Sequence, residues 1–377
     1  MKIYSYRPPR IRQADFDVPP THNTHKIFIP IFLILGAVVG FHFIPAPEMI
    51  SAVISEEGVP TGSVQRAQAE ENLPLNQMKP FLKVSQSNWK LQNTAAQQAI
   101  GGGPGILKEA LDLKGAISVN YDTGEVYYSQ NSAARMRIAS ITKLMTSMVA
   151  MDLVSMDEKF TVEQAATEVE PTVIGVRVGD QLTTRELIEG GLLTSGNDAM
   201  AVLAEGVGKK YSGDTTLFIA AMNEKAKQIG MKNTQFDNPQ GYDGPNHYST
   251  VEDVVYMARY ALKNYPELAK IVTRKDTYLE PTTTHRGINL PNWNMLINTY
   301  PGADGVKIGN TGEAGHTTVA SSTRNGKRVL AVVLGAEGIL ERDMSAAELL
   351  NVGFASLGIT PFPMTEDILR ERIKDWY

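Results

Sequence analysis

Ser140 and Lys143 stand three residues apart in the stretch Ile138-Ala139-Ser140-Ile141-Thr142-Lys143-Leu144-Met145, a nucleophile and a base within one helical turn. From Ile141 the apolar side chains fall at Ile141, Leu144, Met145, Met148 and Val149, the spacing of a helix buried along one stripe. Residues three apart share a helix face, so the lysine amine reaches the serine hydroxyl. Serine is a weak nucleophile until a neighbouring base takes its proton, and a lysine is such a base when burial keeps it neutral. The start of the helix adds free backbone N–H groups that favour developing negative charge. Alone, the Ser-x-x-Lys pattern is common, and a serine at a helix start is often a plain cap.

Cleaving an amide through an acyl-enzyme also requires a proton donor for the leaving amine and donors for the oxyanion. Ser195 and Asn197 lie in the loop Thr194-Ser195-Gly196-Asn197, where a hydroxyl can relay a proton and an amide can orient a substrate carbonyl. Lys307, on a strand two residues before Gly309, supplies a fixed cation with room for a second backbone to approach. Other chemistries are excluded or disfavoured by composition. The 377 residues include no cysteine, which removes thiol catalysis, disulfides and Cys-based zinc sites. Six histidines, none in a His-x-x-x-His pair, make a metal site unexpected, and no cofactor is expected either. A net charge of -5, with no dense Lys/Arg cluster, argues against nucleic acid as a partner.

These residues need a scaffold, and the chain shows one from about residue 105. Ile106 to Leu113 reads as a short helix; Ala116 to Tyr121 and Glu125 to Tyr128 read as strands around the turn Asp122-Thr123-Gly124. Thr183-Thr184-Arg185-Glu186 is a capping box opening a helix that ends at the Ser195 loop, and a new helix starts at Asp198. Helical patterns continue at Thr215 to Ile229 and Val251 to Lys263. Strands return at Gly302 to Gly309, His316 to Ser322 and Lys327 to Leu334, the last two joined across Asn325-Gly326, and Asp343 to Ser356 is a closing helix. Strands at both ends with helices between predict an α+β fold, a sheet assembled from the two ends with a helical insert beside it.

Before this domain, Ile27 to Ile44 runs about 18 residues without a charge, long enough as a helix to span a hydrocarbon core when its flanks snorkel. Lys2, Arg7, Arg10, Arg12 and Lys26 precede it and Glu48, Glu56 and Glu57 follow, so the positive-inside rule puts the N-terminus in the cytoplasm and the rest outside. A cleaved signal peptide is the rival reading, but its small-x-small site should follow at once, and Ala67-Gln68-Ala69 lies far downstream. The expected organisation is a cytoplasmic tail (1–26), a transmembrane anchor (27–44), a Pro-, Gln- and Asn-rich stalk (45–104), a catalytic domain (105–360) and a C-terminal tail (361–377).

Ser140-Ile141-Thr142-Lys143, Ser195-Gly196-Asn197 and Lys307-Ile308-Gly309, in that order, resemble the penicillin-binding proteins and serine β-lactamases. Arg137 to Thr146, Leu193 to Ala199, Asn246-His247-Tyr248-Ser249-Thr250 and Asp304-Gly305-Val306-Lys307 narrow the resemblance to the D-alanyl-D-alanine carboxypeptidases of peptidase family S11, over about 116 to 356. The resemblance implies the transpeptidase fold, an antiparallel sheet flanked by helices with a helical subdomain. It implies a peptidoglycan stem pentapeptide as substrate and β-lactam antibiotics as covalent inhibitors. By the same resemblance Ser140 is acylated, Lys143 is the base, Ser195 passes the proton to the departing D-alanine and Asn197 holds the substrate amide. Lys307 supports proton transfer and carboxylate binding, the oxyanion sits between the N–H groups of Ser140 and Asn310, and Arg342, twelve residues before Phe354, clamps the substrate carboxylate.

Two departures from the family stand out. Its Lys-x-Gly usually carries a hydroxyl at the centre, bonded to the substrate carboxylate, where this chain has Ile308. Losing one bond to a charged group weakens binding by about 1.5–3 kcal/mol, which predicts an altered enzyme rather than a dead one. Many relatives also carry a β-rich second domain and a C-terminal anchor; here Tyr377 ends a short tail and attachment is expected at the N-terminus. A β-lactamase would need a deacylating Glu-x-x-x-Asn after Ser195, and none follows at the expected distance. A D,D-endopeptidase and a weakened peptidoglycan-binding module are the remaining alternatives to a carboxypeptidase.

Overall fold

The structure, a computed structural model, describes residues 73–84, 88–92 and 111–374. Helix α1 (Leu73–Met78) runs into a 3-10 turn at Lys79–Phe81 and inserts Met78 and Leu82 into the core, 0% and 4% exposed. Part of the stretch whose composition suggested a stalk is therefore folded against the domain. The tail behaves likewise: its helix, Glu366–Lys374, buries Leu369 completely. Of the short helix expected at Ile106 to Leu113, residues 106–110 lie outside the described residues. Leu111 to Leu113 are not helical, because Leu113 is buried at the mouth of the first strand.

Strands β1 (Gly115–Asn120) and β2 (Val126–Gln130) form the expected hairpin, turning where Gly124 takes φ +79. A 3-10 turn at Ala139–Thr142 leads into α2 (Lys143–Leu153). The helix expected at Ser140 thus starts as a tighter turn, entered through Ala139 at φ +48. No side chain caps that turn or α2, so Ser140 is not a plain cap. Strands β3 (Lys159–Thr161) and β4 (Gln181–Thr183) pair around the short α3 (Gln164–Thr167). Helix α4 (Thr184–Leu193) opens with the complete capping box: Glu186 N–H donates to Thr183 and Thr183 N–H donates to Glu186. Helices α5 (Asn197–Lys210), α6 (Thr215–Gln228), α7 (Val251–Asn264) and α8 (Pro266–Val272) follow, then β5 (Asp276–Leu279) and β6 (Ile288–Pro291). Asp214 caps α6 and Thr250 caps α7.

The chain then returns to the sheet with β7 (Ala303–Thr311), β8 (Gly315–Arg324) and β9 (Lys327–Ala336), and closes with α9 (Ile339–Ser356) and the tail helix α10 (Glu366–Lys374). The five-stranded sheet has the order β2-β1-β9-β8-β7, antiparallel throughout. Strands from both ends thus make one sheet, and residues between them form the helical insert, the α+β arrangement the sequence predicts. Register separates its faces. Lys307, Val319, Val332 and Ile117 lie opposite one another and face the insert, where α2 and α7 pack. Ile308, Thr318, Val333 and Ala116 line the other face, covered by α9. Helix α2 is buried from Lys143 to Ala150 among α4, α5, α6 and α7, and the 3-10 turn that leads into it packs beside β7. The proposed anchor, Ile27 to Ile44, lies outside the described residues, and among the described residues no helix is long and apolar enough to cross a membrane.

Candidate active site

Lys143 is fully buried and donates from Nζ to Ser140 Oγ at 2.6 Å and to the carbonyl of Gln240 at 2.7 Å. Burial pushes its pKa well below the ordinary lysine value, the nearby Lys307 cation adds to the effect, and Asp198 opposes it. A lysine so placed spends more of its time neutral, as a base must. It aims at a serine left partly accessible.

Ser195 joins from the loop between α4 and α5, its backbone in the left-handed region at φ +65. Lys307, 1% exposed on β7, donates to Ser195 Oγ at 3.0 Å and to the carbonyl of Ile308 at 2.9 Å. Burial, with the Arg342 cation behind it, brings Lys307 down to about 7. Asn197, 5% exposed, donates from Nδ2 to the carbonyl of Glu170 at 2.8 Å. Asp198 beside it takes the N–H groups of Ile174, Gly175 and Val176 at 2.9, 2.8 and 3.2 Å, fastening the 172–176 loop to the start of α5.

Gly309 explains why β7 comes so close: a Cβ there would lie 2.8 Å from the backbone nitrogen of Ser140. Gly241, at φ +97, is wedged against the carbonyl of Ala139 on the opposite side. Among the described residues strand β7 ends the sheet, and the edge that pairs with no strand there offers backbone groups to an extended peptide. Asn310 follows on that strand, exposed and in register with His316. Ile308 and Arg342 lie on the α9 side of the sheet. Arg342 is 2% exposed and held by Asp343, with Nε and Nη2 donating at 2.8 and 2.7 Å. Burial lowers His316 as it does Lys307, and the Arg342 charge adds to both, opposed at His316 by Asp343.

The fold thus makes two bonded pairs, Ser140–Lys143 and Ser195–Lys307, brings the charge of Lys307 to bear on Lys143, and sets Asn197 beside Ser195 and Gly309 against Ser140. Sequence reasoning missed Gln240, Glu170 and Asp198. The first two act through carbonyls, which carry no side-chain signal. Among the described residues no group of three or more His, Asp or Glu could hold a metal.

A serine bonded to a buried lysine, with a second serine in a helix–helix loop bonded to a lysine on the terminal strand of an antiparallel sheet, is the arrangement of the penicillin-binding proteins and serine β-lactamases. The chain belongs to the D-alanyl-D-alanine carboxypeptidase family, peptidase S11, whose sequence model matches residues 105–338. It is 34% identical over 271 residues to D-alanyl-D-alanine carboxypeptidase DacF of Bacillus subtilis (strain 168), covering 70% of this chain and 68% of that protein. It is 32% identical to the D-alanyl-D-alanine carboxypeptidase of Streptomyces sp. (strain K15), covering 66% of this chain and 90% of that one. Among solved structures, D-alanyl-D-alanine carboxypeptidase DacD from Francisella tularensis superposes with a TM-score of 0.61 at 28% identity, over 66% of this chain and 72% of that one.

Proposed function

We propose that the protein is a serine D,D-carboxypeptidase that removes the terminal D-alanine from peptidoglycan stem peptides through an ester on Ser140. Neutral Lys143 takes the Ser140 proton as Oγ bonds to the penultimate D-alanyl carbonyl carbon. As the C–N bond breaks, the proton taken up by Lys143 is relayed through the Ser195 hydroxyl, backed by Lys307, to the departing amine nitrogen. Family resemblance assigns the oxyanion to the N–H groups of Ser140 and Asn310, and substrate orientation to Asn197. Water then cleaves the ester, returning the proton to the enzyme and releasing the shortened peptide. The same reading places the domain outside the cytoplasm on a single-pass anchor at Ile27 to Ile44, supported by the uncharged run and its basic N-terminal flank.

The contact between the buried Lys143 and Ser140 carries the reading. Penicillin should label the protein covalently at Ser140, since the β-lactam mimics the D-alanyl-D-alanine end; Ser140→Ala should take no label. Mass spectrometry showing no adduct, together with no D-alanine released from a peptide ending in D-alanyl-D-alanine, would favour a binding module.

A further inference from the structure

His247 touches neither Ser140 nor Lys143, yet its ring and backbone join the two segments that hold them. Its ring is 1% exposed, with Nε2 2.7 Å from Thr142 Oγ1 and Nδ1 2.9 Å from Asp237 Oδ1. Asn238 Nδ2 and the Asp237 backbone nitrogen stand farther from Nδ1, at 3.2 and 3.3 Å. Those two are N–H donors, whereas the nearest neighbour of Nδ1 is the Asp237 carboxylate; with the proton assigned to Nδ1 the ring donates to that carboxylate. Nε2 then accepts from the Thr142 hydroxyl. Thr142 ends the 3-10 turn bearing Ser140 and directly precedes Lys143. The His247 carbonyl accepts from Arg137 at 2.8 Å, and Met136 and Ser249 exchange backbone bonds of 2.8 and 3.0 Å.

On its other side the ring meets the start of the 238–242 loop. Asn238 Oδ1 accepts from the N–H groups of Gly241 and Tyr242 at 2.7 and 2.9 Å. That fold of the loop brings the Pro239 carbonyl to Thr146 Oγ1 at 2.7 Å and the Gln240 carbonyl to Lys143 Nζ. It also wedges Gly241 against Ala139. The histidine therefore fixes the spacing between the serine-bearing turn and the carbonyl that aims the lysine.

We propose that the Asp237–His247–Thr142 chain is a positioning device for the Lys143 base, holding the amine on Ser140 and the 238–242 loop closed over it. The inference rests on the acyl-enzyme reading for its rate effects, but not for its effect on Lys143 itself. Breaking the chain lets the loop lift, misaligns Lys143 and admits water. Lys143 is faced by Lys307 from β7, by Asp198 from α5, and by Ser140 and the Gln240 carbonyl. Burial is the largest cause of its lowered pKa, so admitted water raises it.

The test uses the full-length chain in detergent, with Thr142→Val, Thr142→Ser and His247→Ala. Thr142→Val keeps the shape and deletes only the hydroxyl. Thr142→Val and His247→Ala should each slow acylation by penicillin about 10- to 100-fold, the scale of a misplaced reacting group. Both should move the acid limb of the acylation rate to higher pH, while Thr142→Ser restores rate and limb. A purely structural role would lower thermal stability without moving the limb. If His247→Ala does not fold, Thr142→Val carries the test. A parent chain that takes no label sinks the acyl-enzyme reading; NMR titration of the Lys143 ammonium then still decides this proposal, a raised midpoint in Thr142→Val supporting it. A folded Thr142→Val with parental rate and an unmoved limb, or with an unmoved Lys143 midpoint, overturns it.

Discussion

Lys307 and Ile308 are neighbours in sequence but face opposite sides of β7, and the difference decides how a substrate carboxylate can be held. Lys307 lies on the Ser195 side, while Ile308 shares the α9 face with Arg342. On the proposed function, with no hydroxyl at 308 and with Arg342 already bonded to Asp343, carboxylate binding is expected to lean on the charge of Lys307. That lysine is lowered from its ordinary value to about 7, so it is charged below neutrality and loses its charge as pH rises through that point. On peptides ending in free D-alanine, kcat/KM should therefore fall on the alkaline side of about 7. Ile308→Thr adds a hydroxyl on the Arg342 face and should raise kcat/KM about 10- to 100-fold, the worth of one bond to a charged group. Steady-state rates across the pH range check both effects. A folded Ile308→Thr with no gain would mean that the site is shaped around isoleucine for another substrate end.

Helices α2 and α6 meet at a buried ion pair far down α2 from its catalytic start. Asp152 accepts from Lys225 Nζ and from Tyr265 Oη, both at 2.8 Å, and from the Lys83 backbone N–H at 3.0 Å. Lys225 and Tyr260 donate in turn to the Lys83 carbonyl. The pair thus grips the backbone of the segment that follows α1. Asp152→Ala leaves Lys225 buried without its counterion, which costs about 3–5 kcal/mol. Thermal unfolding should then drop by roughly 6–20 °C. Pairing Asp152→Leu with Lys225→Met should recover part of the loss; a single mutant within a degree of the parent would show that the grip is idle. The same contacts explain what the sequence concealed. The capping box at Thr183, the Asn325-Gly326 turn and the phases of α4 to α7 were legible because side-chain types cause them. The side chains of the candidate site, the Ser140–Lys143 and Ser195–Lys307 pairs, were legible for the same reason. The loops that aim them were not, since Gln240, Glu170 and Thr172 bind through carbonyls that any residue would supply. The 3-10 turn at Ser140 was hidden too, because it follows from Gly309 and Gly241 closing on it from distant parts of the chain.

Across the whole molecule, composition and packing divide the region before residue 105 differently. A low density of apolar residues made 45–104 read as a stalk, yet Met78 and Leu82 lie in the core and the Lys83 backbone sits in the Asp152–Lys225 grip. Residues 88–92 add to the attachment: Gln92 and Val126 N–H groups bond across to the carbonyls of Gly124 and Gln92 at 2.8 and 3.2 Å, beside the β1–β2 turn. Two cuts should therefore have unlike effects. Deleting residues through Pro45 removes the proposed tail and anchor and should move the protein from the membrane to the soluble fraction with unchanged thermal midpoint and penicillin labelling. Deleting through residue 105 also strips Met78, Leu82 and the backbone of Lys83 from their sites. Losing one buried Met or Leu side chain costs about 2–5 kcal/mol, so the second deletion should unfold at least about 10 °C lower. Fractionation, calorimetry and labelling of the two truncated proteins check this. If the intact protein, sequenced from cells, begins beyond residue 45, the anchor is a cleaved signal instead. Equal midpoints for the two truncations would mean that α1 and residues 88–92 rest on the domain without stabilising it.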